Sequence, residues 1–172
     1  MVAPKDVATG LTQERLVHLF HYDPETGAFT RLVRMGQRGL IGSRADFPSK
    51  GTGYRVVKIE GHPFYAHRLA WLYMTGAWPT EWIDHDNLDR GDTRWGNLRP
   101  ATRGQNNSNR GAVKTSRSGV KGAYPMPSGR FTAAIRHAGK IHHLGCFDTA
   151  EEANTAYAEA ALSTFGPYAR SA

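Results

Sequence analysis

A single cysteine, Cys146, in a chain of 172 residues leaves no internal disulfide and no paired-cysteine zinc site. On its own the thiol reads as a small apolar core residue. No run of about 18 apolar residues is present to cross a bilayer, so no membrane partner is expected. Met1 to Gly10 carries Lys5 and Asp6 and lacks an apolar stretch before a small-residue cleavage site. It does not read as a secretory signal, and the expected location is the cytoplasm. Acidic residues are also missing from a long stretch: between Asp92 and Asp148, 55 residues carry ten Lys or Arg and no Asp or Glu. A net charge of +7 alone does not separate nucleic acid from ribosome or membrane surface as the anionic partner. The segregation says more, because a generic solvated face mixes signs. It points to a polyanion-binding surface.

What is present suits an α+β fold in two small domains, with 40% hydrophobic residues for a modest core and 19 glycines for many turns. Leu11 to Phe20 reads as a short amphipathic helix with Thr12 as N-cap. Asp23 to Gly27 is a turn, a short strand follows around Ala28 to Val33, and Met35 to Gly53 reads as a loop. Tyr54 to Glu60 and Phe64-Tyr65 form a hairpin about Gly61-His62-Pro63. His67 to Gly76 is a helix. These elements make an α/β scaffold. Trp82 to His85 and Leu98 to Ala101 are candidate antiparallel strands, and Thr102 to Arg110 is a helix. Gly111 to Ser118 is a linker. Beyond it come strands at Val120 to Tyr124, Arg130 to Arg136 and Lys140 to Phe147. A final helix, Thr149 to Phe165, opens on a Thr149/Glu152 capping box and carries an apolar stripe of Ala153, Ala156, Tyr157, Ala160 and Ala161.

The chemistry concentrates between the two halves. Asp84 and His85 are adjacent, Asn97 lies twelve residues past His85, and Asn106 nine past Asn97. Two paired strands with a helix across them bring these groups to one side. On that helix Arg103, Asn106, Asn107 and Arg110 share a face, joining a possible ligand to phosphate-binding charge. Neighbouring side chains on a strand point to opposite faces, so a bend or bulge is expected at Asp84-His85. Each residue alone has an ordinary reading: an Asp-His pair as a surface hydrogen bond, Asn97 as a turn residue, Asn106 as a solvated helix residue.

Ala66-His67-Arg68-Leu69-Ala70, Ile83-Asp84-His85, Gly96-Asn97-Leu98-Arg99-Pro100-Ala101-Thr102 and Gln105-Asn106-Asn107-Ser108-Asn109 together resemble the His-Asn-His (HNH) endonucleases common in phages and mobile introns. The resemblance implies a ββα-metal core gripping one divalent ion, with Asp84 and Asn106 as its oxygen ligands. It further implies His85 as general base and Asn97 as the residue holding the loop that aims it. His67 either touches the scissile phosphate or leaving group or serves structure, and Arg68 is assigned to DNA together with Arg103 and Arg110. Oxygen ligands suit Mg²⁺ or Mn²⁺ rather than zinc, and neutral imidazole can take a proton from water. Relatives carry Gly where Leu88 stands and an Asp-Asn pair where Asp92-Thr93 stand, at unchanged loop length. Asp86, Asp89 and Asp92 read as loop acids, and His18, His21 and His62 as structural or solvated.

The tail has its own resemblance. Ser118-Gly119-Val120-Lys121-Gly122, Gly129 to Arg136, His143 to Ala153 and Ala156-Tyr157 through Gly166 are similar to the ethylene-response-factor type of DNA-binding domain, which also occurs appended to phage HNH enzymes. That fold lays a three-stranded antiparallel sheet in the major groove, with a helix packed behind it. Alternation agrees: Phe131, Ala133 and Ile135 share a face suited to packing, and Arg130, Thr132, Ala134 and Arg136 share the other. Lys121 on the first strand, and Ile141 and His143 on the third, accompany the DNA face, while Leu144 and Phe147 join the core. The expectation is a phage-encoded enzyme acting on double-stranded DNA in a bacterial cytoplasm, as a monomer or weak dimer. Residues 1–110 cut and residues 119–169 hold DNA. The opposing class is a non-enzymatic DNA-binding protein with a decayed nuclease fold.

Overall fold

The computed structural model describes residues 10–111 and 116–170. The secretory-signal reading of the first residues and the middle of the expected linker lie outside the described residues. Among the described residues no helix is long and apolar enough to cross a membrane. Helices and small antiparallel sheets alternate in an arrangement compatible with the α+β class. The chain divides into two compact units between Pro100 and Ala101, whereas the sequence suggests a division after Arg110.

In the first unit, α1 (Gln13–Leu19) starts where Thr12 accepts a hydrogen bond from the Arg15 amide, as a side-chain N-cap should. The chain then enters β1 (Phe20–Tyr22), a strand the sequence does not announce, which pairs with β2 (Phe29–Arg31) across the Asp23 turn. The expected loop after β2 contains one more short strand, β3 (Asp46–Pro48), which pairs with β4 (Arg55–Ile59). β4 and β5 (His62–Tyr65) form the predicted hairpin, but its turn is Glu60-Gly61, with Ile59 opposite His62. Both turn residues have positive φ, 48° and 89°, which matches the twist of a two-residue hairpin and makes the broader Gly61-His62-Pro63 turn unnecessary.

Helix α2 (Ala66–Thr75) follows directly and ends at Gly76 in the left-handed conformation. Leu69, Ala70 and Leu72 on α2 meet Leu16, Phe20, Tyr22, Phe29, Val57 and Phe64 in one core. Each large apolar side chain buried there contributes about 1.5–3 kcal/mol before entropy. β6 (Trp82–His85) pairs with β7 (Leu98–Ala101), and the division between the units falls inside β7. The loop joining them is pinned to the N-terminal turn. Tyr22 Oη donates to the Thr93 carbonyl at 2.7 Å, Thr93 Oγ1 donates to the Gly27 carbonyl at 2.8 Å, and the Trp95 amide donates to the Pro24 carbonyl at 2.9 Å.

In the second unit, α3 (Arg103–Ser108) carries a complete Thr102/Gln105 capping box and stops at Ser108. Arg110 therefore lies beyond the helix, and the expected four-residue face loses its last member. β8 (Ala123–Pro125), β9 (Phe131–His137) and β10 (Lys140–Phe147) form the expected three-stranded antiparallel sheet, with β9 central. β8 starts later than predicted, and Ser118 explains why: its hydroxyl bonds the Val120 and Ala123 carbonyls, holding residues 118–122 as a turn. α4 (Ala150–Phe165) has both arms of the predicted Thr149/Glu152 capping box. Ala153, Tyr157 and Ala161 on α4 bury against Ala133 and Ile135 of β9. Cys146 departs from expectation: it is exposed, on the outer face of β10.

Candidate active site

Asp84 and His85 end β6, and His67 opens the first turn of α2, so the hairpin-to-helix junction and the strand end bring them together. Ile83, Asp84 and His85 are all buried, so both faces of the strand end are covered. Asp84, 3% exposed, accepts a hydrogen bond from Arg99 Nε at 3.0 Å, and the guanidinium Nη2 pairs with the same carboxylate oxygen at 3.0 Å. His85, 5% exposed, meets the His67 ring edge to face at 5.0 Å. Sequence neighbours thus serve different partners.

Asn97 is buried and ties the intervening loop at both ends. Its Oδ1 accepts from the Asn87 amide at 3.0 Å, its Nδ2 donates to the Asp92 carbonyl at 2.9 Å, and its own carbonyl accepts from the Asp86 amide at 3.0 Å. The loop acids have internal work. Asp92 accepts from Arg94 and Asn87, and the Arg94 guanidinium above all holds its carboxyl down at about 2. Asp86 pairs with Arg99 Nη1 at 2.5 Å, and Asp89 accepts from the Gly91 amide.

Electrostatics keep both imidazoles neutral at physiological pH. Burial lowers the His67 pKa well below its usual value, with His85 and Arg68 adding to the effect. Burial also lowers that of His85, against the opposing pull of Asp84, Asp92 and Asp89. Nδ1 of His67 is buried and has no hydrogen-bond partner among the described residues. A neutral, buried imidazole is suited to accept a proton.

Three residues that sequence spacing did not single out complete this region. Tyr54 lies with its ring 5.1 Å from His67 and 5.8 Å from His85, and Arg90 stacks on it at 5.0 Å while bonding the Thr52 carbonyl. Nothing in the local sequence marks Tyr54, because the hairpin fold alone brings it to the histidines. Arg99 did have a signal: it sits on the strand predicted to partner that of Asp84, where a cross-strand charge pair is expected.

The remaining expected site residues lie on several elements. Arg68, assigned to DNA, is instead 9% exposed, with its guanidinium 5.9 Å over the Trp78 ring and donating to the Pro79 carbonyl. The α2 face that carries Leu69 and Leu72 into the core carries it inward too. Asn106 and Arg103 lie on α3 in the second unit, Arg103 exposed. Lys121 is not on a strand: its ammonium turns inward to the Ser108 and Arg170 carbonyls and over the Tyr157 ring, and burial lowers its pKa to about 8. Arg130 precedes β9 and pairs with Asp148 at 2.7 Å. Arg136 is exposed and has no carboxylate partner among the described residues. His143 is exposed but engaged, its Nδ1 accepting from the Gly145 amide and its Nε2 at 2.7 Å from Thr132 Oγ1, at a bulge in β10.

The carboxylate here is of a kind that would suit a hard divalent ion. The buried Asp84 carboxylate already holds a cation, Arg99, and neutral imidazoles stand nearby. No group of three or more His, Cys, Asp or Glu that could hold a metal exists among the described residues. An ion here would rest on few protein ligands, which would leave coordination positions for a phosphate oxygen and waters.

The family model for HNH endonucleases matches residues 64–108, the span that holds His67, Asp84, His85 and Asn97. That match supports an HNH nuclease, a kind of protein that acts on DNA and generally uses a divalent metal. A comparison with curated proteins finds no match.

Proposed function

We propose that this chain is a DNA endonuclease of the HNH type that hydrolyses phosphodiester bonds with a single Mg²⁺ or Mn²⁺ ion and uses His85 as general base. The observation that carries this reading is the buried His85 next to Asp84 at the end of β6, followed by a loop that Asn97 clamps, within the span that matches the family. When bound, the ion neutralises the scissile phosphate and stabilises the departing oxygen. Asp84 holds it. His85 takes the proton from water, Asn97 fixes the loop that aims His85, and the edge contact of His67 keeps the His85 ring from turning. Residues 119–169 are a DNA-binding domain of the ethylene-response-factor type, and Arg136 on its outer face contacts the duplex. Tethering such a module to residues 1–110 raises the local concentration of the nuclease on its substrate. A monomer with one site nicks one strand per engagement.

One observation favours a second reading, a DNA-binding protein with a decayed nuclease fold: Arg99 already engages the carboxylate that the ion needs. Supercoiled plasmid incubated with Mg²⁺, Mn²⁺ or EDTA separates the two. The nuclease reading expects relaxed or linear product with metal, none with EDTA, and loss of product in His85→Ala. Equal cleavage by the wild type and His85→Ala removes the base assignment. No cleavage in any metal favours the binding-only protein.

A further inference from the structure

A second basic surface lies outside the matched span. In the first unit, α1, β2, the turn after β2 and the β4–β5 hairpin enclose a cleft of about 550 Å³ lined by Arg15, Arg31, Arg34, Arg38, Lys58 and Glu60. Five cations face one carboxylate. These residues come from four places in the chain, so the fold, not sequence adjacency, gathers them. Two of the cations are tied down: Arg15 pairs with Glu60 at 3.0 Å, and Arg31 donates to Ser43 Oγ at 3.1 Å and to the Arg44 carbonyl. Arg34, Arg38 and Lys58 are exposed and pair with no carboxylate among the described residues. The floor between them is apolar, formed by Leu19, Val33 and Met35, and a low-dielectric floor strengthens the field of the cations above it.

We infer that this cleft binds the phosphate backbone of duplex DNA, an inference that rests on the reading of the chain as a DNA-acting protein. Three exposed cations with no carboxylate partner among the described residues, beside two that are tied down, exceed what one small anion needs and suit a run of phosphates. Among the described residues no aromatic side chain lines the cleft, so it offers nothing for bases to stack on, which disfavours single strands. Contacts of this kind hold register and orientation without reading sequence. The cleft adds a sequence-independent grip that is separate from the outer face of the tail.

The test measures binding in EDTA, where cleavage is blocked, by fluorescence anisotropy of a labelled 30-bp duplex between 50 and 200 mM salt. Arg34→Ala/Arg38→Ala/Lys58→Ala in the full chain is expected to lower affinity at least tenfold. It should also reduce the salt slope by up to about 3, roughly 0.9 for each phosphate that is no longer neutralised. Arg34→Lys/Arg38→Lys/Lys58→Arg should keep the slope. An unchanged slope in the alanine variant overturns the proposal, as does an equal loss on a single strand of the same length. The nuclease reading fails separately: a wild type that binds with its full slope but never cuts plasmid loses that reading and keeps the cleft. A wild type that cuts while the alanine variant binds normally does the reverse.

Discussion

In the first unit, His67, Asp84, His85 and Asn97 are at most 7% exposed, held under a core of Phe20, Tyr22, Phe29, Leu69 and Leu72. In the second, the core is a layer of alanines, Ala123, Ala133, Ala153 and Ala161, with Ile135 and Tyr157, while Arg136, Ile141 and His143 stand outside. The two differ in what each core can support: the first buries a carboxylate and two imidazoles, and the second, Lys121 apart, leaves its charged groups at the surface. Burying a carboxylate and two imidazoles costs free energy that only satisfied hydrogen bonds and dense surrounding packing offset. A thin alanine layer cannot carry that cost, but it brings helix and sheet close together and leaves a flat outer face free. On the proposed reading, chemistry belongs to the first unit, beside its basic cleft, and the outer face of the second unit adds a separate docking surface.

The sharpest way to break this comparison is kinetic. His85→Ala is expected to lower the cleavage rate by about 10²–10⁴-fold while duplex affinity stays put. Arg136→Ala should do the opposite, weakening binding by about 1–3 kcal/mol with an unchanged rate at saturating DNA. Plasmid cleavage and anisotropy on the same preparations check both. If His85→Ala lost affinity as well, the division of labour would be wrong.

A second test concerns how the first unit holds its loop. A Cβ on Gly27 would lie 2.5 Å from the Thr93 carbonyl carbon, and the residue has φ 71°. Gly27→Ala should destabilise by about 3 kcal/mol. A Cβ on Gly96, in the β6–β7 loop that Gly27 meets, has nothing among the described residues within 4 Å, so Gly96→Ala is the control and should stay within about 0.5 kcal/mol. Urea denaturation reads both.

Much of this was legible. The helices around Leu16, Leu69 and Tyr157 followed from periodicity and caps, because local side-chain hydrogen bonds such as those of Thr12 and Thr149 are written in adjacent residues. The Asp84, His85, Asn97 spacing also survives in space. What escaped has two causes. β1 and β3 are three-residue strands, too short for alternation to show, and each is defined only by pairing with the next strand across a turn. Tyr54 reaches the histidines only through the hairpin, and Arg68 and Lys121 turn inward because their neighbours' packing overrides a surface reading of charge. Cys146 reads as apolar, but the bulge at Gly145 sets the outward face of β10.

Smaller effects sharpen the contrast further. Asp46 is a buried carboxylate with a structural role, bonded by Arg44 and the Phe29 amide at 3.0 Å each and by Arg55. Burial alone would raise its pKa, but these donors outweigh burial and lower it. Its stabilising contribution is complete above an unfolded value of about 3.9 and is lost as pH falls through the lower folded value. Asp46→Asn should cost about 2 kcal/mol at neutral pH and flatten the stability profile below pH about 4, measured by urea denaturation across pH. The smallest effect is a gain. Leu88 has φ 66°, a left-handed conformation that costs a leucine about 1 kcal/mol, and it is 37% exposed. Leu88→Gly should raise stability by about 0.5 kcal/mol once the added freedom of the unfolded glycine is counted, and thermal melts would detect the shift.

The bonds from Tyr22, Pro24 and Gly27 to the loop at Thr93 and Trp95 bear on how this site could be moved between proteins. Residues 64–108 contain the chemical groups but not the clasp that shapes their loop. A chimaera that transplants only that segment would carry the reagents without their mould, and the smallest graft that keeps the loop's form begins upstream of β1.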